Sequence, residues 1–577
     1  MSRFATLLLA LALMSGCASV SVAPETSGVQ VSAQRLAEEG KHLEAARAWA
    51  DSAVGSRGAA RDRAWLYAAD QYWLAGDKGA SRQALSQAGK RRLEGRDLLL
   101  HDLMNAHFLA DAAQWPEALA LLGQSRESVP AALRARWHGL RAQALEGTGR
   151  GFDAAGELAW LHESLDRGAR AENVRRIDKL LAAQSDALLA SGAAALPPGH
   201  PLYRYAGRAL TQRGLPLPRP YDREASSPGL DALPAADRDG YRPPERLAAL
   251  LPLSGPLAAA GHSVRDGLLA AYYGEVRRRP QLKFYDTHGS GGVRAAFAQA
   301  REDGAQMLVG PLTRDEVNEL FGLAELDLPV LALNRGTIPP PPGSAAYALS
   351  PEDEGAAAAD RLVDRGLRRV LVVTQADDNA QRALAAFRER LTARGGQIIG
   401  ETSVSEGNPD YVPALRQAMQ GGRPEAIFLS LKAAQARLLS SQMDTAALTG
   451  VPRVATSLIL SGANLRMDTE LDGIEYPELP WLLGLRGSPD PDTLGRTLPS
   501  AQGGGSRLFA FGMDAWQLAA YLDHLASDPG AQVRGATGEL QLDGFGGVQR
   551  KPAWAVFSGG RSRPALDGAL LPDAGAP

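Results

Sequence analysis

Apolar positions along the chain follow two different periods, and the period changes near Arg246. Before this point large apolar side chains recur at helical spacing. In AWLYAADQYWLAG, for example, Trp65, Ala69 and Tyr72 fall at i, i+4 and i+7 on one face. After it, short apolar runs alternate with helical patterns. The first region therefore predicts an all-α domain and the second an α/β domain.

The helical region also repeats. The second helix of each predicted pair begins with LEAARAW, GASRQAL, PEALALL or FDAAGEL, at Leu43, Gly79, Pro116 and Phe152, so the starts lie 36, 37 and 36 residues apart. Two-helix repeats of about 34 residues are typical of tetratricopeptide-like solenoids, in which each pair buries its apolar face against its neighbours. Packing is the predicted role, and ligand stacking the alternative, for four tryptophans: Trp65, Trp73, Trp115 and Trp137.

Beyond Arg246, eight apolar runs form two sets of four predicted strands. The first set is LAALLPL, LKFY, QMLVG and PVLAL, and the second is RVLVVT, QIIGE, EAIFLS and PRVATS. Helical segments between strand starts roughly 25 to 35 residues apart imply right-handed crossovers and parallel sheets. A further strand is predicted at PWLLG from Pro480, then a helix in FGMDAWQLAAYLDHL and a last strand pair in GELQLDGFGGVQRKPAWAVF. Two similar lobes are expected.

Three phrases in this region resemble the type I periplasmic binding protein fold of leucine-isoleucine-valine receptors, over residues 246 to about 560. LPLSGPLAAAGHSVRDGLLAA is similar to the first strand, loop and helix of that family, VGPLTRDEV to the loop after its third strand, and FGMDAWQLAAYL to its late helix. The predicted fold class is therefore a tetratricopeptide-like helical domain followed by a two-lobed α/β domain.

Ligands of open α/β sheets bind at the carboxyl ends of strands and at helix amino termini. The candidate cleft residues of the first lobe follow from this rule: Ser254, Gly255, Leu312, Thr313, Asn334 and Arg335. Alternatively, Ser254 and Thr313 are turn or capping residues. Asp378 is the candidate from the second lobe, and a capping role is again the alternative. Amino-acid receptors commonly place a tyrosine here, but TQADDNAQRA contains no aromatic residue, so a small-molecule ligand stays uncertain.

Charge and motifs narrow the function. The chain has 62 basic and 65 acidic residues, a formal net charge of -3, which argues against nucleic-acid binding. The sequence contains no G-x-S-x-G, H-E-x-x-H or G-x-x-x-x-G-K-[ST] motif. No catalytic residue, metal site or cofactor is therefore predicted, and the protein is not expected to be an enzyme.

The amino terminus has the layout of a secretory signal. Arg3 precedes an apolar run of eleven residues, 4–14, which is too short to cross a bilayer as a helix. MSGC, ending at Cys17, resembles a lipobox, and that resemblance implies acylation of this cysteine, the only one in the chain. The alternative is an ordinary signal with an incidental cysteine. Ala18 after the cysteine favours the outer membrane of a Gram-negative cell.

These patterns predict the following division of the chain: a signal peptide at 1–16, a lipid-anchored tether at 17–30, the helical domain at 31–212, a proline-rich linker at 213–245, the two-lobed domain at 246–560 and a tail at 561–577.

In this order, the modules resemble the LpoA-type (LppC) family of outer-membrane lipoproteins that activate class A penicillin-binding proteins. The resemblance implies a regulator that hangs from the outer membrane into the periplasm, near peptidoglycan, and whose partner is a class A synthase. The alternative function is a lipid-anchored receptor for an amino acid or peptide fragment. A wall hydrolase is a third possibility, but no catalytic motif supports it.

Overall fold

The computed structural model describes residues 28–213, 215–222, 233–323, 326–405, 407–461, 467–486, 490–528 and 530–565. The predicted signal peptide, Cys17 and most of the predicted tether lie outside these residues, as do parts of the predicted linker and tail. The chain forms two compact units, of which the first ends at Gly149 and the second begins at Arg150.

The first unit is helical throughout its described elements. Its α-helices are α1 (Gly28–Glu38), α2 (His42–Val54), α3 (Gly58–Leu74), α4 (Lys78–Gln87), α5 (Gly95–Asp111), α6 (Trp115–Leu121) and α7 (Ala131–Gly147). Helices α2, α4 and α6 begin within one residue of the predicted starts. Trp137 is buried, and the other three tryptophans pack against the same core. The predicted helical repeat is thereby confirmed for this unit.

The second unit opens with four more helices: α8 (Gly151–Leu161), α9 (Arg167–Ala182), α10 (Asp186–Ala195) and α11 (Leu202–Gln212). They pack against the α/β part of the same unit. The rings of Tyr205 and Phe545 lie 4.6 Å apart, and the Arg208 guanidinium lies 4.8 Å from the Phe545 ring centre. Asp178 pairs with Arg208 at 2.7 Å. Aromatic and cation-π contacts therefore attach these helices to the α/β part.

The first lobe is a five-stranded parallel sheet with helices on its faces. Its elements are β1 (Arg246–Leu251), α12 (Ala258–Gly274), β2 (Gln281–Asp286), α13 (Gly292–Glu302), β3 (Met307–Val309), α14 (Arg314–Phe321), β4 (Val330–Ala332) and β5 (Ala345–Ala346). The strand order is β2-β1-β3-β4-β5. Leu250 and Leu251 of β1 are both fully buried because helices cover both faces of a parallel sheet.

The second lobe holds a seven-stranded sheet. Its first elements are α15 (Pro351–Asp364), β6 (Arg369–Gln375), α16 (Asp378–Ala393), β7 (Gln397–Val404), α17 (Val412–Ala418), β8 (Ala426–Ser430), α18 (Ala433–Gln442), β9 (Arg453–Ala455) and β10 (Ile474–Glu478). The later elements of the chain are α19 (Pro491–Thr497), α20 (Gly505–Ser527), β11 (Val533–Arg534), β12 (Glu539–Leu542), β13 (Val548–Lys551), β14 (Ala553–Ser558) and β15 (Arg561–Pro564). The strand order is β15-β14-β10-β9-β8-β6-β7, in which β14 runs antiparallel to both of its neighbours, β10 and β15.

Two local predictions differ from the structure. The strand predicted at Pro480 is wrong, because the strand at this place is β10, which ends at Glu478. PWLLG is apolar for a different reason: Trp481 is fully buried and its ring stacks on Phe509 of α20. In addition, the segment predicted to form the last pair of strands forms three, β12, β13 and β14, and a further strand, β15, follows it.

Helix α20 returns the chain to the first lobe, where it packs against α12. The described part of the predicted linker also packs here. Tyr241 is buried, and Arg242 pairs with Asp523 of α20 at 2.9 Å. Strands β11, β12 and β13 form a small antiparallel sheet beside this lobe. None of the helices in the described ranges has the length and apolarity that crossing a membrane requires.

Asp514 on α20 is a fully buried carboxylate that fastens the small sheet to the first lobe. It accepts hydrogen bonds from the backbone N–H groups of Ala536 (2.5 Å) and Thr537 (2.8 Å) and from the hydroxyls of Thr537 (2.6 Å) and Tyr347 (3.1 Å). Burial raises the pKa of Asp514 to about 6, although these hydrogen bonds act in the opposite direction.

A pH-dependent stability follows for Asp514. Because the folded-state pKa is raised above 3.8, the protonated form favours the fold, and this contribution is lost as the pH rises from about 4 to 6. A pKa raised from 3.8 to about 6 corresponds to about 3 kcal/mol. In the wild type, this group is expected to change the free energy of unfolding by about 2 to 3 kcal/mol between these pH values. Asp514→Asn is expected to abolish this pH dependence, as measured by urea denaturation.

The control for this experiment is Asp378→Asn, which removes a carboxylate whose side chain is 85% exposed. A parallel pH dependence of wild type and Asp514→Asn would contradict the interpretation of Asp514.

Candidate functional site

The candidate site is the edge of the first lobe that faces the second lobe. Its three loops follow β1, β3 and β4, which are neighbours in the sheet. The carboxyl ends of parallel strands meet at one edge, so these loops lie side by side. Six of the seven predicted cleft residues lie in these loops.

The loop after β1 is held by a carboxylate of this chain. Asp286, at the end of β2, accepts hydrogen bonds from the N–H groups of Leu253 (2.8 Å), Ser254 (3.3 Å) and His288 (3.0 Å) and from the Ser254 hydroxyl (2.5 Å). Desolvation raises the pKa of Asp286, but these hydrogen bonds outweigh it and lower the pKa. The Ser254 groups that were predicted to face a ligand thus bind a carboxylate of this chain.

Gly255 stands at the turn of the same loop with a φ of +72°, which favours glycine. A Cβ at this position would lie 2.2 Å from the His288 ring. The imidazole therefore closes over the turn, and the space beside Gly255 is filled by this chain.

The loop after β3 ends in a helix cap. Thr313 is the N-cap of α14 and forms a capping box with Glu316: the Glu316 N–H lies 3.3 Å from the Thr313 hydroxyl, which donates at 2.8 Å to the Glu316 carboxylate. The Leu312 carbonyl accepts a hydrogen bond from the Asn334 side-chain amide at 2.9 Å. Thr313 thus has the geometry of the capping alternative.

Asn334 and Arg335 form the loop after β4. The Asn334 side-chain oxygen accepts the Arg335 N–H at 2.9 Å. The Arg335 guanidinium pairs with Asp353 of α15 at 2.6 Å and donates to the Val548 carbonyl at 2.9 Å. Desolvation lowers the pKa of Arg335, but the Asp353 carboxylate reverses this, and the pKa lies above its ordinary value. Arg335 therefore joins the first lobe to the second.

Asp378 lies on a helix of the second lobe, and its ion pair in the described residues is with its own helix and not with these loops. It opens α16 as an exposed residue that faces Arg382 one turn later at 3.5 Å. The preceding Asp377 caps the helix by accepting the N–H groups of Asn379 and Ala380.

An ionic cluster that lies between the two lobes was not predicted from the sequence. Arg507 of α20 pairs with Glu478 at the end of β10 and lies 3.4 Å from Glu354 of α15. Glu354 also accepts the Ser457 N–H at 2.8 Å and its hydroxyl at 2.7 Å. We call Glu354, Glu478 and Arg507 the inter-lobe triad. No motif marks its members, which lie up to 153 positions apart in sequence.

Burial sets the electrostatics of the triad. Desolvation raises the pKa of Glu478, although Arg507 acts in the opposite direction. Desolvation lowers the pKa of Arg507, but the Glu478 and Glu354 carboxylates raise it by more. The net pKa lies above the ordinary value, so the guanidinium stays charged. Arg507 is thus the counter-charge of two buried carboxylates, and its loss would leave both without one.

Taken together, the polar groups of this cleft bind one another. Asp286 holds the first loop, Glu316 the second and Asp353 the third, while Arg507 connects the two lobes. Within the described residues, no group of three or more His, Cys, Asp or Glu side chains could hold a metal ion. The arrangement is suited to fixing the relative position of two lobes.

Similar proteins agree with this architecture. The chain is 26% identical over 321 residues to the penicillin-binding protein activator LpoA of Haemophilus ducreyi, covering 54% of this chain and 53% of the relative. The protein of the same name from Aliivibrio fischeri is 29% identical over 345 residues, covering 54% and 56%. The chain thus matches about half the length of these curated relatives.

A crystal structure of full-length LpoA from Haemophilus influenzae covers 90% of this chain and 98% of its own, with a TM-score of 0.50 and 19% identity. A monoclinic form of the same protein gives a TM-score of 0.53 at 20% identity and covers 90% of this chain and 97% of its own. At this identity the likeness bears on the fold, and it confirms a helical domain followed by an α/β domain.

The family model described as LppC putative lipoprotein matches residues 240–404 and 416–560. These segments span both lobes, including the loops and the inter-lobe triad described above. Since they make up more than half of the chain, the protein belongs to the LppC family of putative lipoproteins.

Proposed function

We propose that this protein is an outer-membrane lipoprotein that binds and activates a class A penicillin-binding protein, and thereby regulates peptidoglycan synthesis. Acylated Cys17 anchors it, and the body extends into the periplasm toward the cell wall. Its role is regulatory and not catalytic. The observation that carries the proposal is the family match across both lobes, together with relatives named penicillin-binding protein activators.

The geometry of the cleft favours a protein that binds another protein over a receptor for a small solute. A receptor for amino acids needs free donors for the ligand carboxylate, and here the Ser254 donors bind Asp286. A receptor also closes by moving its lobes, whereas Arg335 and Arg507 pair with carboxylates of the opposite lobe. Moving the lobes apart would break the half-buried Arg335–Asp353 pair and would separate Arg507 from the buried Glu354 and Glu478, at a cost of several kcal/mol.

Binding to the synthase tests the proposal. The protein without residues 1–17 is immobilised, and a purified class A penicillin-binding protein from the same bacterium is passed over it. Saturable binding is expected, and a class B penicillin-binding protein serves as the control. In parallel, a thermal shift of several degrees with a single free amino acid, without binding to the synthase, would favour the receptor and overturn the proposal.

The anchor has its own experiment. Cys17→Ser in the full-length chain is expected to abolish incorporation of labelled palmitate and to move the protein from the membrane fraction to the soluble periplasm. Ser15→Ala is the matched control, because it changes a neighbouring residue and leaves the thiol in place. Unchanged labelling of Cys17→Ser would contradict the lipid anchor.

A further inference from the structure

The turn between α12 and β2 carries an unusual exposed surface. Tyr273 is 70% exposed, and Val276 is 96% exposed, which is the highest value among the exposed large apolar side chains of the described residues. Arg278 and Arg279 are exposed beside them. The Arg279 guanidinium lies 5.7 Å from the centre of the Tyr273 ring. We call residues 273–279 the α12–β2 tip.

The tip stands on a rigid base, although its side chains are exposed. The Tyr241 hydroxyl donates to the Arg278 carbonyl at 2.7 Å, and the Tyr272 hydroxyl donates to the Pro280 carbonyl at 2.8 Å. Both tyrosines pack on the core of the first lobe. The backbone on the arginine side of the tip is thus fixed by two hydrogen bonds from the body of the lobe.

Arg277 fastens the tip from within. Its guanidinium pairs with Glu275 and Asp239, both at 2.9 Å, and lies 3.8 Å from the centre of the Tyr241 ring. The three consecutive arginines therefore differ: Arg277 pairs with carboxylates of this chain, whereas Arg278 and Arg279 are exposed to solvent. A surface that is already ordered loses little conformational entropy on binding, which favours affinity.

The tip lies at the opposite end of the strands from the cleft, so a partner can reach it without entering the cleft. It joins the carboxyl end of α12 to the start of β2, whereas the cleft lies at the carboxyl ends of the strands. Tyrosine and arginine are the residue types enriched at energetic centres of protein interfaces. Exposed apolar side chains flanked by two exposed cations fit a partner pocket bordered by carboxylates.

A protein partner fits better than a lipid surface. The base of the tip carries the carboxylates of Glu275 and Asp239, and the side chain of Asp239 is 53% exposed. Arg277 pairs with both carboxylates, and an anionic membrane offers them no complementary group, whereas a protein surface can match mixed charges one by one.

We propose that the α12–β2 tip is the surface through which this protein docks on an acidic site of the synthase; this inference rests on the proposed function. Tyr273 and Val276 enter an apolar pocket of the partner. Arg278 and Arg279 pair with the carboxylates that border it.

The experiment compares two triple variants of the protein without residues 1–17. Val276→Asp with Arg278→Glu and Arg279→Glu changes the tip. The matched control changes exposed residues of the first unit, where Val54 is 78% exposed: Val54→Asp with Arg91→Glu and Arg96→Glu. Because every substituted side chain is exposed, both variants are expected to unfold at the temperature of the wild type.

The affinity for an immobilised class A synthase is then measured. The tip variant is expected to bind at least about 30-fold more weakly, since hot-spot residues contribute about 2 kcal/mol or more. The control variant is expected to bind like the wild type. Arg278→Lys with Arg279→Lys is expected to keep most of the affinity, because it keeps the charges.

Four results would overturn the inference, and they differ in what they say of the proposed function. If the tip variant binds like the wild type, or if both triple variants lose affinity equally, the tip is not the docking surface and the proposed function stands. If the wild type does not bind the synthase, both proposals fall. Tip-dependent sedimentation with vesicles of phosphatidylethanolamine and phosphatidylglycerol, with unchanged synthase binding, would assign the tip to lipid instead.

Discussion

Replacing Arg507 with alanine is expected to lower the free energy of unfolding by about 3 to 5 kcal/mol. The substitution leaves the buried carboxylates of Glu354 and Glu478 without a counter-charge. Urea denaturation of the protein without residues 1–17 measures the loss. A change of this size is a large part of the stability of an ordinary domain.

The loss should depend on pH. Burial raises the pKa of Glu478 and Arg507 lowers it, so removing Arg507 raises the pKa further. A carboxylate with a raised folded-state pKa contributes stability below its unfolded pKa and loses it as the pH rises. Arg507→Ala is therefore expected to be less damaging at about pH 5 than at about pH 8.

The exposed pair of Arg294 and Glu319, whose side chains are 63% and 43% exposed, provides the control. Arg294→Ala is expected to cost less than about 1 kcal/mol, because solvent screens such pairs. Equal effects of Arg294→Ala and Arg507→Ala would contradict the role given to the inter-lobe triad.

Gly267→Ala is the second substitution with a large expected effect. Helices α12 and α20 pack so closely that a Cβ on Gly267 would lie 1.9 Å from the Phe509 carbonyl oxygen. In the other direction, a Cβ on Gly512 would lie 2.0 Å from the Val264 carbonyl oxygen. Since the obstacle is backbone, one helix must move. The overpacking is expected to exceed the gain in helix propensity, with a net loss of at least about 2 kcal/mol.

Gly274, at the end of the same helix, makes the comparison direct, because a Cβ there would meet nothing within 4 Å. Gly274→Ala is expected to change the free energy of unfolding by between zero and about +1 kcal/mol. Thermal or urea denaturation measures both variants. A Gly267→Ala variant as stable as Gly274→Ala would show that the two helices can separate without cost.

Strong periodicity explains what could be predicted of the fold. The runs that became β1, β6 and β8 are rich in β-branched or aliphatic residues and are separated by helical segments, so the predicted parallel sheets follow from local pattern alone. The apolar run at Pro480 shows the limit of this reasoning. Its burial against Phe509 comes from the tertiary fold, and a short apolar run does not reveal which kind of neighbour buries it.

The candidate site was harder to predict, because its chemistry depends on partners distant in sequence. Ser254 has the residue type and position of a ligand-binding hydroxyl, and only the fold brings Asp286 to it from 32 positions away. For Thr313 the capping box could be read locally from Glu316 three positions on. The inter-lobe triad has no local signal, since each of its members follows an ordinary helix or strand pattern.

Activation of a class A synthase is the proposed function of this protein, and the rate of glycan polymerisation measures it. Lipid II is supplied to the purified synthase with and without an excess of the protein lacking residues 1–17, and glycan chains and crosslinks are quantified over time. A several-fold increase in the initial rate is expected, one that the denatured protein does not reproduce. A rate that stays the same at saturating protein, despite a properly folded sample, would contradict it.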